Sequence, residues 1–517
     1  MLWLALHLPW LPLEALGPAP RPADGTPPPP RAVIEQHRLR VVNASARALG
    51  LEEGMSTATA LSLCPALHGL PRQPAAEAAF VRLLAMALSC YTPQVVLQPD
   101  AVLLEVSGSL RLFGGLAGLG GRLRRTLQQV GAHVRIGMAP TAAAAALLAR
   151  VPGAGGRPGR ARTLDAAAAL LDALPLPPVL QALELPPRLG ELLQGIGCQR
   201  LGQVRALPRT GLQRRGGGLL LLALDRAYGH APDPQAWYEP PQQFELGCEL
   251  MHRADDAAML VFAAQRLVQP LAGWLQRQWL AAARCTLWLL HEGAGRQARP
   301  PTPVRLAVGD PTRDAAQLLL LLRERLQRTE LPAPVYGLRL QLDEAVALAG
   351  HEGRLALVSG AGPGTEEADP QAFRALVDRL TARLGAEQVR KLAPCDDHRP
   401  ERAFQPVPAQ ATATVAAVPS GSPAPAALCT RPAWLLPQPL PLAEHAGRPV
   451  HGGPLLLRTR AERIESGWFD DELVCRDYHV AEGSDHRLRW VFRQRRMGDA
   501  DTAGEPAAHW FLHGLFG

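Results

Sequence analysis

At 517 residues the chain is too long for one compact core, and about 100–200 residues per domain predicts several. Apolar residues make up 47%, mean hydropathy is −0.02 and no apolar run reaches the roughly 18–20 residues of a membrane span, which fits a soluble multidomain protein and excludes a membrane-embedded one. Eight cysteines without a CxxC pair argue against a zinc site or disulfide framework, and a net charge of +7, carried by arginine with Lys391 the only lysine, permits a nucleic-acid partner without requiring one.

Leu2, Leu4, Leu6 and Leu8 alternate with Trp3, Ala5 and His7, the period-two pattern of a strand with one face in a core, and His7 falls on the face opposite the leucines. No positive region precedes this apolar start, so it reads as a strand rather than a secretory leader, and a cytoplasmic location is expected. A proline-rich stretch over 18–30 breaks regular structure, and residues 40–48 and 57–63 suggest a small mixed module inserted after the first strand and ending near Pro74. Phe80, Leu83, Leu84, Ala87 and Leu88 fall at helical spacing. Strands over 101–107 and 133–138, with a helix over 120–130 between them, complete an α/β layer.

Residues 141–150 and 164–174 are helical, and over 178–228 short helices are separated by turns, notably Gly195-Ile196-Gly197 and Gly216-Gly217-Gly218, as in a small all-α unit. From 244 to 342 the order is strand, helix (255–278), strand (285–290), strand (304–308), helix (312–328), strand (336–342), a split βαβ pattern in which Asp310-Pro311-Thr312 is the expected start of the second helix. A further helix carries Phe373, Leu376, Val377, Leu380 and Leu384 on one face. Residues 400–441, rich in Pro, Ala, Ser and Thr, are expected to form a flexible linker, after which 453–517 returns to aromatics and charge as a separate module.

The segment 96–115, VLQPDAVLLEVSGSLRLFGG, resembles the signature of the Y-family DNA polymerases, in which a Ser-Ile-Asp-Glu run precedes Leu-Asp-Val and a Leu-Phe-Gly turn. VVNASARALGLEEGMS (41–56) resembles that family's fingers segment, and 182–228 resembles its thumb, with a helix-hairpin-helix-like element at Gly195-Ile196-Gly197. The resemblance spans about 1–342 and implies a right-hand-like architecture of α/β and α+β domains. It places a ferredoxin-like palm at 1–20 and 75–165, small fingers at 21–74, a helical thumb at 166–235 and a little finger at 240–348. A helical extension (349–400), a flexible linker (401–445) and a C-terminal partner-docking module (446–517) follow.

In that family two divalent metals are held by an Asp on the first strand and an adjacent Asp-Glu pair, because phosphoryl transfer needs its developing charge clamped between ions. The resemblance puts His7 at the first position, Asp100 at the Asp of the pair and Ala101 at its Glu, so one acid of three remains. A neutral imidazole and a methyl group cannot replace two negative charges around a hard ion, and Glu105 lies on the opposite strand face from Asp100. The Tyr of the family's nucleotide-handling Tyr-x-x-Arg pair corresponds to Ala44, with Arg47 retained, and a palm Lys corresponds to Ala142. No catalytic residue, metal or cofactor is therefore expected. The alternative is an active DNA-directed DNA polymerase with atypical metal ligands, such as His7, Asp100 and a backbone carbonyl.

Gly195 and Gly197 would let backbone N–H groups approach a DNA phosphate, and Arg205, Arg209, Arg214 and Arg215 would add salt-sensitive contacts, although read alone these are a packing turn and a solvated face. ERIESGWFDDELVCRDYHV (462–480), LRWVF (488–492) and WFLHGLF (510–516) resemble the tail of the ImuB-type branch of the family, whose active site is degraded at the same positions. That resemblance implies error-prone translesion synthesis in a damage-induced (SOS) mutasome. The chain would bridge the sliding clamp, ImuA and an error-prone DnaE-type polymerase while holding primed or damaged DNA non-specifically; a scaffold without DNA affinity stays open. Trp468, Tyr478, Trp490, Trp510, Phe511 and Phe516 are the expected docking residues. The best match to the branch's clamp-binding Gln-Leu-x-Leu-Phe peptide, Arg354-Leu355-Ala356-Leu357-Val358, lacks both anchor ends and is either an extended strand for an apolar pocket or a surface loop.

Overall fold

The computed structural model describes residues 1–17, 28–153, 156–292, 299–347, 370–409, 431, 432, 434–468, 470, 472–495 and 510–516, so the clamp-peptide residues Arg354, Leu355, Leu357 and Val358 lie outside the described residues. The chain divides into two compact units, 1–383 and 384–517.

In the first unit, β1 (Trp3–His7) is followed by an insertion with a sheet of its own. Strands β2 (Arg31–Glu35), β3 (Arg38–Val42) and β4 (His68–Pro71) pair in the order β3-β2-β4, and helices Ala44–Ala48 and Thr57–Leu63 close a small core of Leu39, Val42, Leu51 and Cys64. Asn43 starts the first of these helices, its side-chain oxygen accepting from Ala46 N at 2.9 Å and from Arg31 N at 3.0 Å.

After helix Pro74–Leu88, strands β5 (Val95–Gln98) and β6 (Ala101–Glu105), helix Gly115–Val130 and β7 (Arg135–Ala139) complete an antiparallel sheet of order β5-β6-β1-β7. This is the expected ferredoxin-like arrangement, with the first and third strands central. The alternation in β1 divides two cores: Leu4, Leu6 and Leu8 meet Phe80, Leu84 and Leu127, whereas Trp3 and Ala5 meet the alanines of helix Ala142–Arg150. Each leucine so buried contributes roughly 1.5–3 kcal/mol. The second helix lies so close that a Cβ on Gly137 would stand 2.3 Å from the Ala145 carbonyl oxygen, which explains small residues on both sides of the contact. The same core runs on into six short helices between Leu164 and Tyr228 through Leu171, Leu193, Leu201 and Leu224, so sheet and helical unit share one hydrophobic body.

Strands β8 (Glu245–Ala254), β9 (Leu280–His291), β10 (Thr302–Thr312) and β11 (Val335–Ala347), with helices Ala257–Gln278 and Ala315–Leu326, form a sheet of order β10-β9-β11-β8, in which the second and fourth strands are central. The second helix begins at Asp314, whose carboxylate accepts from Ala316 N at 3.0 Å. Asp310-Pro311-Thr312 does not start it: the strand continues through these residues because Thr312 re-pairs with Ala282 after a register shift. Helix Ala257–Gln278 packs on Pro74–Leu88, where the Arg266 guanidinium lies 4.2 Å from the Phe80 ring centre.

Helix Pro370–Leu384 departs from ordinary amphipathic burial. Its apolar stripe is the exposed one, with Phe373 66% and Leu376 51% accessible, while Asp378, Thr381 and Ala382 are buried. Asp378 anchors that polar face by accepting from Gly309 N at 2.9 Å.

In the second unit, β12 (Arg390–Pro394) pairs with β13 (Phe404–Pro408). The main sheet comprises β14 (Trp434–His445), β15 (Arg448–Val450), β16 (Leu456–Leu457), β17 (Glu462–Ser466), β18 (Val474–Glu482), β19 (Leu488–Gln494) and β20 (Trp510–Leu515). Its order is β15-β14-β20-β19-β18-β16, with β17 added on β18. The linker expected over 401–445 is therefore structured at both ends. Prolines did not prevent β14 from pairing: its register breaks between Leu435 and Leu440, which leaves Pro437 and Pro439 outside the paired positions, and Pro441 stands opposite Phe511. Arg399, buried to 2% accessibility, donates to Asp397 at 2.7 Å and to Asp470 at 2.6 Å and so ties the β12–β13 region to the main sheet.

Both faces of the main sheet are covered, Leu455, Val491, Trp510 and Leu512 on one side and Ile464, Tyr478, Val480, Trp490 and Phe492 on the other. This corrects the expected docking set: Tyr478, Trp490 and Trp510 are core residues, Tyr478 stacking on Trp490 with ring centres 4.0 Å apart. Phe511 and Phe516 are half-buried against the second cluster, and Trp468 is the exposed member at 71%.

Candidate functional site

The end of β1 places His7 between Ala101 of β6 and Arg135 of β7. Asp100 occupies the turn before β6, and its carbonyl accepts from Leu8 N at 2.9 Å, which holds that turn beside the strand end. His7 Nε2 stands 3.3 Å from Asp100 Oδ2. On the other side Arg150, the last residue of its helix, donates from Nε to Oδ2 at 3.1 Å, from Nη2 to Oδ1, and from Nη2 to Gln98 Oε1 at 2.7 Å. Burial pushes the Asp100 carboxyl up, but the hydrogen bonds from His7 and Arg150 oppose it and hold the group well below the usual carboxylate range.

These residues line a cavity of about 720 Å³, together with Arg47, Arg135 and His133. Arg47 pairs with Glu53 at 3.4 Å, and Arg72 pairs with Glu35 and Glu77 at 2.8 Å each. Arg135 has no ion-pair partner among the described residues. The structure thus brings His7, Asp100 and Arg47 to one cleft, whereas Ala101 and Ala142 are buried in the core and do not line it.

The donor set does not fit a two-metal centre. It supplies one carboxylate, already paired with a guanidinium, and an imidazole whose Nδ1 is buried without a hydrogen-bond partner. No group of three or more His, Cys, Asp or Glu side chains converges anywhere among the described residues. Glu105 is no replacement. Its Oε1 accepts from Leu2 N and Ser107 N, both at 3.1 Å, and from the Ser107 hydroxyl, so it fastens the strand ends.

Arg150 was not singled out from the sequence. It is the one charged residue in AAAAALLAR, and a cation at a helix C-terminus ordinarily reads as a dipole complement.

The N–H groups of Ile196, Gly197 and Cys198 donate to Leu192, Gln194 and Leu193 carbonyls at 2.9–3.1 Å, closing the helix that ends at Gly195, so they are not free for a phosphate. Arg205 and Arg209 are paired with Asp172 (2.7 Å) and Asp225 (2.5 Å), and Arg205 also covers the Tyr228 ring at 4.6 Å. Arg214 and Arg215 are exposed and without ion-pair partners among the described residues.

Residues 28–150 match the model of the impB/mucB/samB family. Protein ImuB of Caulobacter vibrioides (strain NA1000 / CB15N) is 29% identical over 486 residues, 91% of this chain and 100% of that protein; the counterpart from strain ATCC 19089 / CIP 103742 / CB 15 gives the same values. Residues 28–150 thus resemble that family, and the chain as a whole resembles Protein ImuB. Among solved structures, a Dbh ternary complex is similar at 16% identity and a TM-score of 0.36, and DinB from Sulfolobus solfataricus at 17% and 0.35, each over 67% of this chain and the whole of the other. At the end of β1 the acid that lines the cleft beside His7 is Asp100, while Glu53 and Glu77 line it paired with Arg47 and Arg72. No helix among the described residues is long and apolar enough to cross a membrane.

Proposed function

We propose that the chain is a non-catalytic adaptor in error-prone translesion DNA synthesis, binding DNA without sequence preference and linking the sliding clamp, ImuA and an error-prone DnaE-type polymerase. The observation that carries the non-catalytic reading is the Asp100 carboxylate held by Arg150 and His7, with a buried methyl group at Ala101. Two-metal phosphoryl transfer requires several carboxylates free to hold ions at the reacting oxygens, and one neutralised acid does not meet that need. The likeness to Protein ImuB over 91% of the chain supports placing it in damage-induced mutagenesis beside those partners.

Primer extension with the purified chain in magnesium or manganese tests the catalytic half, with an Asp100→Ala variant alongside. No extension by either protein is expected. Extension that Asp100→Ala abolishes would instead establish an active polymerase with atypical ligands. For the adaptor half, the full chain should co-purify with the clamp, ImuA and a DnaE-type polymerase; loss of all three interactions in reconstituted mixtures would refute it.

A further inference from the structure

The cleft carries an internal cation. We infer that Arg150 occupies the metal position of the cleft, so that its guanidinium is a built-in replacement for a divalent ion and excludes one. This rests on the non-catalytic reading of the same cleft, but its test reads ion binding, not synthesis or partner capture, so either can fail alone.

The geometry points to replacement because the oxygens a hard cation would use are the ones Arg150 takes. Both Asp100 carboxylate oxygens and the Gln98 amide oxygen accept from its Nε and Nη2. A planar guanidinium matches a carboxylate through two parallel hydrogen bonds and does not deprotonate in proteins, so the charge is permanent. The side chain is 16% accessible, and its backbone is fixed by the close packing of its helix on Gly137. His7 completes the enclosure at 3.3 Å on the side where the family pattern has a carboxylate. An incoming divalent ion would have to displace a fixed positive charge from Asp100, the acid at the end of β1, and would gain only an imidazole beside it in return.

It follows that restoring an acid is not enough. Manganese binding, followed by electron paramagnetic resonance, should be undetectable in the wild-type chain and remain weak in His7→Asp, where the new carboxylate faces the same guanidinium. The double variant His7→Asp/Arg150→Gln should bind manganese at least about tenfold more tightly than His7→Asp, since one repelling charge has been removed at contact distance. Equal binding by the two variants would overturn the inference. Should Arg150→Gln fail to fold, the wild-type protein still decides: the Arg150 Nε–H resonance should stay sharp under excess manganese, and its selective paramagnetic broadening at low manganese would show an ion sharing the site with Arg150.

Discussion

Removing the Glu105 side chain should cost the first unit about 1–3 kcal/mol, because the buried Leu2 N would lose its acceptor, and Ser107 N a part-buried one. Glu105→Gln retains one acceptor oxygen and should cost much less than Glu105→Ala, a contrast that urea unfolding of the two variants would measure. Asp100 makes a different prediction. Its folded carboxyl lies below the unfolded value, so the stability it contributes is complete above the unfolded pKa of about 4 and is lost as the pH falls below it. Asp100→Asn should therefore flatten the acid limb of the stability profile, and an unchanged limb would contradict the Arg150 pairing. The position of His7 on the face away from the leucines was legible from strand alternation alone. Arg150 was not, since nothing local to a helix end tells which of several nearby acids a long side chain will reach.

At the level of elements, the helical unit divides its arginines by charge already engaged. Arg214→Ala and Arg215→Ala should each lower the salt slope of binding to primed DNA by about 1 in a gel-shift titration. Arg205→Ala and Arg209→Ala should change that slope less and stability more, because their guanidinium groups hold Asp172 and Asp225. Four equal slopes would mean that the ion pairs open on DNA. Period and turn residues disclosed an α/β layer, a run of short helices and the split βαβ pattern of the second sheet, while the ferredoxin-like palm was implied by the resemblance. They failed for β14, whose prolines read as linker until pairing with β20 supplied the missing context. They also failed for helix Pro370–Leu384, since periodicity identifies an apolar stripe but not which side the neighbouring sheet takes. In the main sheet of the second unit, tyrosine and tryptophan looked like partner-docking residues only because the second covered face could not be inferred from one strand at a time.

Across the whole molecule, the two units predict where the chain can be divided. Residues 384–517 produced alone should fold and give a near-ultraviolet circular dichroism signal from the buried Tyr478–Trp490 stack. Residues 453–517 should not, because they lack β14 and the Arg399 tie to Asp470. Partner-capture experiments therefore belong on the longer piece, and a folded 453–517 would show that β14 is dispensable. The position of β20 between β14 and β19 also bears on synthesis in the cell. A chain released between Gln494 and Trp510 would leave both neighbours with an unpaired edge, a template for aggregation rather than a protein missing one strand.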